Sequence, residues 1–126
     1  MSTVLVVDDE PLFRDVVGDI LTAAGHSVIL ASSVHDALKA MRLEKPGVIL
    51  TDQMMPDLDG LSFVYRVRAD REWSDVRVIV VSAKSAPEDI ERARQAGADD
   101  YLVKPFSAGE LRSMVAGPSG APNWRP

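Results

Sequence analysis

Five short apolar runs restrict this chain more than any other feature of it: Val4 to Val7, Val28 to Leu30, Val48 to Leu50, Val76 to Val81 and Tyr101 to Val103. Each is nearly continuous rather than alternating and rich in β-branched residues, the pattern of a strand covered on both faces. The segments between them carry a helical period instead. Strands that alternate with helices pack as a parallel sheet wound right-handedly. The expected fold class is therefore α/β, a doubly wound five-stranded parallel sheet with five helices.

The helices are marked by their caps and stripes. After Pro11, a favoured first-turn residue, Leu12, Phe13, Val16, Val17, Ile20 and Leu21 fall on one face, and Gly25 is placed to end the first helix. Ser33 with Asp36 resembles a capping box for the second, whose stripe is Val34, Ala37, Leu38 and Met41 and which Pro46-Gly47 closes. Leu61, Val64 and Val67, with Phe63 beside them, mark the third. Ser85 with Glu88, then Ile90, Ala93 and Ala96 up to Gly97, mark the fourth, and Ser107 with Glu110, then Leu111, Met114 and Val115, mark the fifth. The fourth helix has Ile90 as its single large apolar inner residue. Alanines bury little surface, so this helix is expected to be the loosest of the five.

The chain of 126 residues makes one domain. Residues 1–116 form it, and residues 117–126, rich in Pro, Gly and Ser, read as a flexible C-terminal tail or linker. A net charge of −5 argues against nucleic-acid binding by this domain, because phosphate backbones are held by clustered Lys and Arg. The absence of cysteine excludes disulfides and thiolate metal sites. No apolar stretch approaches a membrane span and no basic leader precedes the first strand, so a cytoplasmic protein is expected.

Chemistry is expected where the runs end. The third run stops at Thr51-Asp52 and meets the loop Gln53-Met54-Met55-Pro56-Asp57-Leu58-Asp59-Gly60. Asp8, Asp9 and Glu10 follow the first run, Ser82 the fourth and Lys104 the fifth. In open α/β sheets the functional crevice lies beyond the carboxyl ends of the strands. With strand order 2-1-3-4-5, all these groups meet in one pocket. Carboxylates ~4 Å apart repel by roughly 4 kcal/mol per pair at an effective dielectric of ~20, so the pocket needs cations. Lys104 supplies one charge, and a hard divalent ion bound through oxygen, Mg²⁺ foremost, supplies the rest. Asp52 then becomes a candidate nucleophile toward phosphorus.

Taken singly, each residue has a plainer reading. An aspartate at a strand end is commonly a cap or turn residue, Ser82 a helix-entry hydroxyl and Tyr101 a core-edge aromatic. Asp59-Gly60 reads as a turn and cap, Met54-Met55 as packing, and His26 and His35 as solvated. The three acids together with Lys104 reverse that judgement.

Asp8-Asp9, the segment Asp52-x-x-Met55-Pro56-x-x-Asp59-Gly60, Ser82-Ala83 and the stretch Gly97-Ala98-Asp99-Asp100-Tyr101-Leu102-Val103-Lys104-Pro105-Phe106 resemble the receiver domain of bacterial two-component response regulators, the CheY-like family. The likeness runs from Val4 to about Met114. It implies a flavodoxin-like sheet of order 2-1-3-4-5 and a phosphoryl group taken by Asp52 from a phosphohistidine on a sensor histidine kinase or phosphotransfer protein, or from a small phosphodonor. It also implies Mg²⁺ held by Asp9, Asp52 and the main-chain carbonyl of Met54, with Asp8 acting through water. Lys104 would pair with phosphoryl oxygens across a Lys104–Pro105 peptide that is commonly cis in the family. Ser82 would donate to the phosphoryl group, and Tyr101 would turn inward as the switch. The fourth helix, fifth strand and fifth helix would then signal to an output partner or domain, or form a homodimer. Domains of this kind catalyse their own phosphorylation and dephosphorylation only. Met54 and Lys84, two positions beyond the acceptor and the hydroxyl, flank the route by which water would reach the acyl phosphate.

Three rivals are weighed against it. A phosphatase of the haloacid dehalogenase type needs Asp-x-Asp after the first strand, where this chain has Asp8-Asp9-Glu10-Pro11. A flavodoxin-like cofactor carrier needs a Ser, Thr and Gly phosphate loop there. An unphosphorylated pseudo-receiver scaffold is favoured by loss of the acceptor, the lysine or the acid pair, and none is lost.

Overall fold

A computed structural model of the chain describes residues 2–53 and 59–117. Its elements alternate in order: β1 (Thr3–Val7), α1 (Pro11–Ala23), β2 (Ser27–Ala31), α2 (Val34–Leu43), β3 (Val48–Asp52), α3 (Gly60–Ala69), a 3-10 turn (Arg71–Trp73), β4 (Arg77–Ser82), α4 (Pro87–Ala96), β5 (Asp100–Val103) and α5 (Ala108–Ala116). The strands form one parallel sheet of order β2-β1-β3-β4-β5, the order that the family resemblance implies.

Alternation within the strands divides the core in two. Leu5, Val7, Ile49, Val78 and Val80 point to one face and pack with the inner residues of α2, α3 and α4. Val4, Val6, Val48, Leu50, Ile79 and Val81 point to the other and pack with Val17 and Leu21 of α1 and Leu111 and Val115 of α5. Both faces are dry because helices cover both, which is why the runs lack polar alternation.

Several local expectations are corrected. Leu12 and Val16, expected on the buried face of α1, are 75% and 54% exposed, and the helix turns Val17, Gly18 and Leu21 inward instead. Ser85 does not cap α4. The N-cap is Ala86, with Pro87 opening the helix and no side chain accepting its first N–H groups. Ser33 caps α2 by accepting from the Asp36 N–H at 3.1 Å, but the Asp36 carboxylate takes its bond from Ser32 Oγ. Ser107 and Glu110 of α5 do form the full reciprocal box. His26, expected to be solvated, accepts at Nδ1 from the Ser2 N–H at 3.3 Å and is partly buried.

Two arginines anchor the end of the sheet where the strands begin. Asp99 and Asp100 are adjacent and therefore point to opposite faces. On one face Arg68 donates to the Gly97 carbonyl (2.8 Å), the Val76 carbonyl (2.7 Å) and Asp99 (2.6 Å), which pins the C-terminal end of α4. Gly97 sits at φ 112, and a Cβ there would lie 2.5 Å from Arg68 Cγ, so glycine is required twice over. On the other face Arg77, 4% exposed, pairs with the fully buried Asp100 and donates to the Val115 and Gly117 carbonyls, closing the end of α5. A buried carboxylate that loses its counter-ion is costly, whereas replacing both partners by apolar groups is not. Arg77→Met is expected to lower unfolding free energy by about 3–5 kcal/mol, and the double replacement Arg77→Met/Asp100→Leu to recover most of that loss, as read by urea denaturation.

Candidate functional site

Strand register brings the predicted residues to one edge. Val7 lies opposite Thr51, Asp52 opposite Val81, and Ser82 opposite Val103, so Asp8, Asp52, Ser82 and Lys104 all emerge where their strands end. Asp8, Asp9 and Asp52 each present a carboxylate oxygen within 4.8 Å of the other two. Lys104 Nζ stands 3.7 Å from Asp8 and 3.6 Å from Asp52. The Lys104–Pro105 peptide is cis.

The acids sit in different surroundings. Asp8 is 2% exposed, and one of its oxygens accepts the Glu10 N–H at 2.9 Å. Burial pushes its carboxyl above the ordinary carboxylate range, the Glu10 hydrogen bond opposes this, and the nearby Asp52 adds to the rise. Asp9 is exposed, and the Asp52 side chain is 12% exposed. Oxygen donors of this kind, gathered and only partly neutralised by one ammonium, suit a hard divalent cation.

Ser82 is buried, and its Oγ accepts from the Lys84 N–H at 3.1 Å. That leaves the hydroxyl proton to be donated elsewhere. Tyr101, 7% exposed, already points inward and donates to the Lys84 carbonyl at 2.7 Å and to Gln53 Oε1 at 3.3 Å. Burial raises its phenol above the ordinary value, with the nearby Ser82 hydroxyl opposing the rise. The backbone of Lys84 is thus held by Ser82 on one side and Tyr101 on the other.

Met54, whose carbonyl was expected to face a metal, lies outside the described residues together with Met55 and Pro56. Asp59 caps α3 as predicted, accepting from the Leu61 N–H at 2.8 Å. Gly60 has a role that the turn reading missed. Its N–H donates to the Gln53 carbonyl at 2.8 Å, and a Cβ there would overlap the Asp52 carbonyl oxygen and lie 2.8 Å from Gln53 Cα.

Three further residues escaped the sequence reading. Arg14 donates to the Asp8 carbonyl at 2.9 Å and so fixes the turn that carries the acid pair. Gln53, buried directly after Asp52, touches Tyr101. Phe13 places its ring 4.2 Å from Lys104 Nζ. A place directly after Asp52 was the available signal for Gln53, and no side-chain pattern marked Arg14, whose partner is a main-chain carbonyl.

The raised Asp8 carboxyl has a consequence for stability. A carboxyl whose folded-state pKa exceeds its unfolded one favours folding below the unfolded value, and that contribution is lost as pH rises through the folded value. Asp8→Asn is therefore expected to stabilise the metal-free domain at neutral pH, with the gain shrinking as pH falls toward the ordinary carboxylate range. Melting temperatures of the two proteins in chelator across that pH range check it.

The model of the response regulator receiver domain matches residues 4–116 of the chain. The KDP operon transcriptional regulatory protein KdpE of Escherichia coli (strain K12) is 42% identical over 115 residues, which is 91% of this chain and 50% of KdpE. TcrX, a probable transcriptional regulatory protein of Mycobacterium tuberculosis, is 38% identical over 109 residues, 86% of this chain and 46% of TcrX. The chain spans about half the length of these curated relatives. Among solved structures, the chemotaxis response regulator CheY4 of Vibrio cholerae matches at 30% identity and TM-score 0.87 over 91% of this chain and 96% of CheY4. The receiver domain of Francisella response regulator 1452 matches at 32% identity and TM-score 0.85, over 91% of this chain and 93% of that one. With the acid triad, the lysine, the serine and the tyrosine gathered as described, the chain belongs to the response regulator receiver domain family.

Proposed function

We propose that Asp52 is the phosphoacceptor of a signalling switch, receiving a phosphoryl group from the phosphohistidine of a sensor kinase or phosphotransfer protein. The observation that carries this reading is the ammonium of Lys104 held 3.6 Å from Asp52 and 3.7 Å from Asp8, beside an exposed Asp9. In the transfer an Asp52 carboxylate oxygen bonds to phosphorus while the donor's P–N or P–O bond breaks, its electron pair leaving with the donor. Positioning and charge neutralisation do the catalysis in reactions of this class. Lys104 meets the phosphoryl oxygens as a fixed cation. Mg²⁺, held by Asp9, Asp52 and the Met54 carbonyl with Asp8 acting through water, would neutralise charge gathering on those oxygens. The family's role is signalling rather than metabolic catalysis, and in the proposed reading the chemistry would act on the domain's own aspartate.

The signal would leave through Ser82. Its proton goes to the phosphoryl group, and its contact with the Lys84 N–H draws the turn before α4 along with it. Tyr101 is bonded to the Lys84 carbonyl, so the same turn carries β5's aromatic side chain. α4 is the element best suited to respond, because its inner face is Ala93 and Ala96 with Ile90 only partly buried, and its N-terminus has no side-chain cap. The surface of α4, β5 and α5 is then the face offered to an output partner, an output domain following residues 117–126, or a second copy. KdpE and TcrX are named as transcriptional regulators, which makes gene control the favoured output, with DNA contact made outside residues 1–116.

Incubation with acetyl phosphate and Mg²⁺ is expected to add one phosphoryl mass to the wild type and none to Asp52→Asn, while Asp9→Asn weakens Mg²⁺ binding. No adduct on the wild type, or an undiminished one on Asp52→Asn, would favour an unphosphorylated scaffold. Ser82→Ala is expected to keep most of the adduct but to lose the amide shifts of α4 and Tyr101 that follow phosphorylation, as read by NMR. A full response in Ser82→Ala would sever the proposed coupling.

A further inference from the structure

The Lys104 ammonium has a neighbour that is not an acid. Its distances to Asp8 and Asp52, 3.7 and 3.6 Å, exceed the range of about 2.7–3.2 Å for a directional N–H···O bond, so the carboxylates attract it without fixing its place. Lysine is a point charge on a flexible four-carbon stem, and this one keeps 26% of its side chain exposed. What does define its place is the ring of Phe13, whose centroid is 4.2 Å from Nζ. A cation at that distance from an aromatic ring is drawn by the negative face of the π system. The ring is itself held by Phe106, with centroids 5.7 Å apart and planes at 80°, a T-shaped pair. Phe13 belongs to α1 and Phe106 lies two residues beyond Lys104, so both flanks of the lysine converge on one aromatic pair packed on the α1 and α5 side of the core.

We infer that Phe13 is a positioning residue for phosphoryl transfer, holding the Lys104 ammonium over the acidic crevice before the donor arrives. The inference rests on the proposed roles of Asp52 and Lys104. In the transfer Lys104 loses no proton. It stays an ammonium while the Asp52 oxygen bonds to phosphorus and the donor's bond breaks. An ammonium already in place loses less conformational freedom on reaching the transition state, so the effect falls on the rate of transfer rather than on the capture of the donor.

Phe13 also fills space, and the test must separate the two roles. Site-specific 3,4,5-trifluorophenylalanine at position 13 keeps the shape of the ring and removes its negative face. Phe13→Leu removes the ring, and Phe13→Tyr keeps it. The first readout needs neither metal nor donor: the ε-methylene protons of Lys104 are expected upfield of other lysines by ring current in wild type and Phe13→Tyr, and not in Phe13→Leu. The second is the phosphorylation rate with acetyl phosphate at saturating Mg²⁺. The maximal rate is expected to fall about fivefold in the trifluoro and Leu proteins and to be restored in Phe13→Tyr, with the half-saturating donor concentration unchanged. A wild-type rate in the trifluoro protein, or no upfield shift in the wild type, overturns the inference while leaving the acceptor reading in place. A wild type that takes no phosphoryl group on Asp52 overturns both.

Discussion

One ammonium facing three carboxylates is the constraint around which this domain is arranged. Lys104 reaches Asp8 and Asp52 because the parallel register sets the ends of β1, β3, β4 and β5 side by side, and that register is fixed by side chains alternating into two dry layers. A slip of one residue in β1 or β3 would swap its side chains between the two layers and carry an acid away from the edge. Folding energy and site geometry are thus supplied by the same strand contacts. The crowding also has a cost, visible in the Asp8 carboxyl that burial pushes upward, and the proposed metal and phosphoryl chemistry use that imbalance.

The two ends of the sheet are built on opposite principles. Where the strands begin, Arg68 and Arg77 meet Asp99 and Asp100 in pairs that lock the C-terminal ends of α4 and α5. Where the strands end, three carboxylates are gathered beside one ammonium, and α4 starts from Ala86 with no side-chain cap. A helix pinned at one end and lightly held at the other can move about the pinned end. An uncapped start at the site end, with an inner face of alanines behind it, is what would let a change at Asp52 be felt on the surface.

Much of this could be read from the chain. The five apolar runs became strands, their neighbours were expected from the family resemblance alone, and Asp8, Asp52, Ser82 and Lys104 were legible because a polar residue ending a buried strand has few other places to go. The boundary errors have physical causes. The apolar arc of α1 is wider than the face it buries, so periodicity alone could not show that Leu12 and Val16 lie outside. Pro87 keeps Ala86 in extended backbone, so α4 starts one residue later than a cap at Ser85 requires. No local pattern marked Arg77 for a buried ion pair, because its counter-ion is 23 residues away, and the partners Gln53 and Tyr101 are 48 apart. Local patterns report which face a residue takes, but not which distant side chain it meets there.

The account stands on the acid triad, beside Lys104, acting as a single site for a divalent cation. Paramagnetic Mn²⁺, titrated at substoichiometric levels into isotope-labelled protein, tests this most directly through the amide resonances it broadens. Selective broadening of Asp9, Glu10, Gln53 and Lys104, abolished in Asp9→Asn, is the predicted result. Broadening spread over the other surface acids, or centred away from the carboxyl ends of β1 and β3, would contradict it.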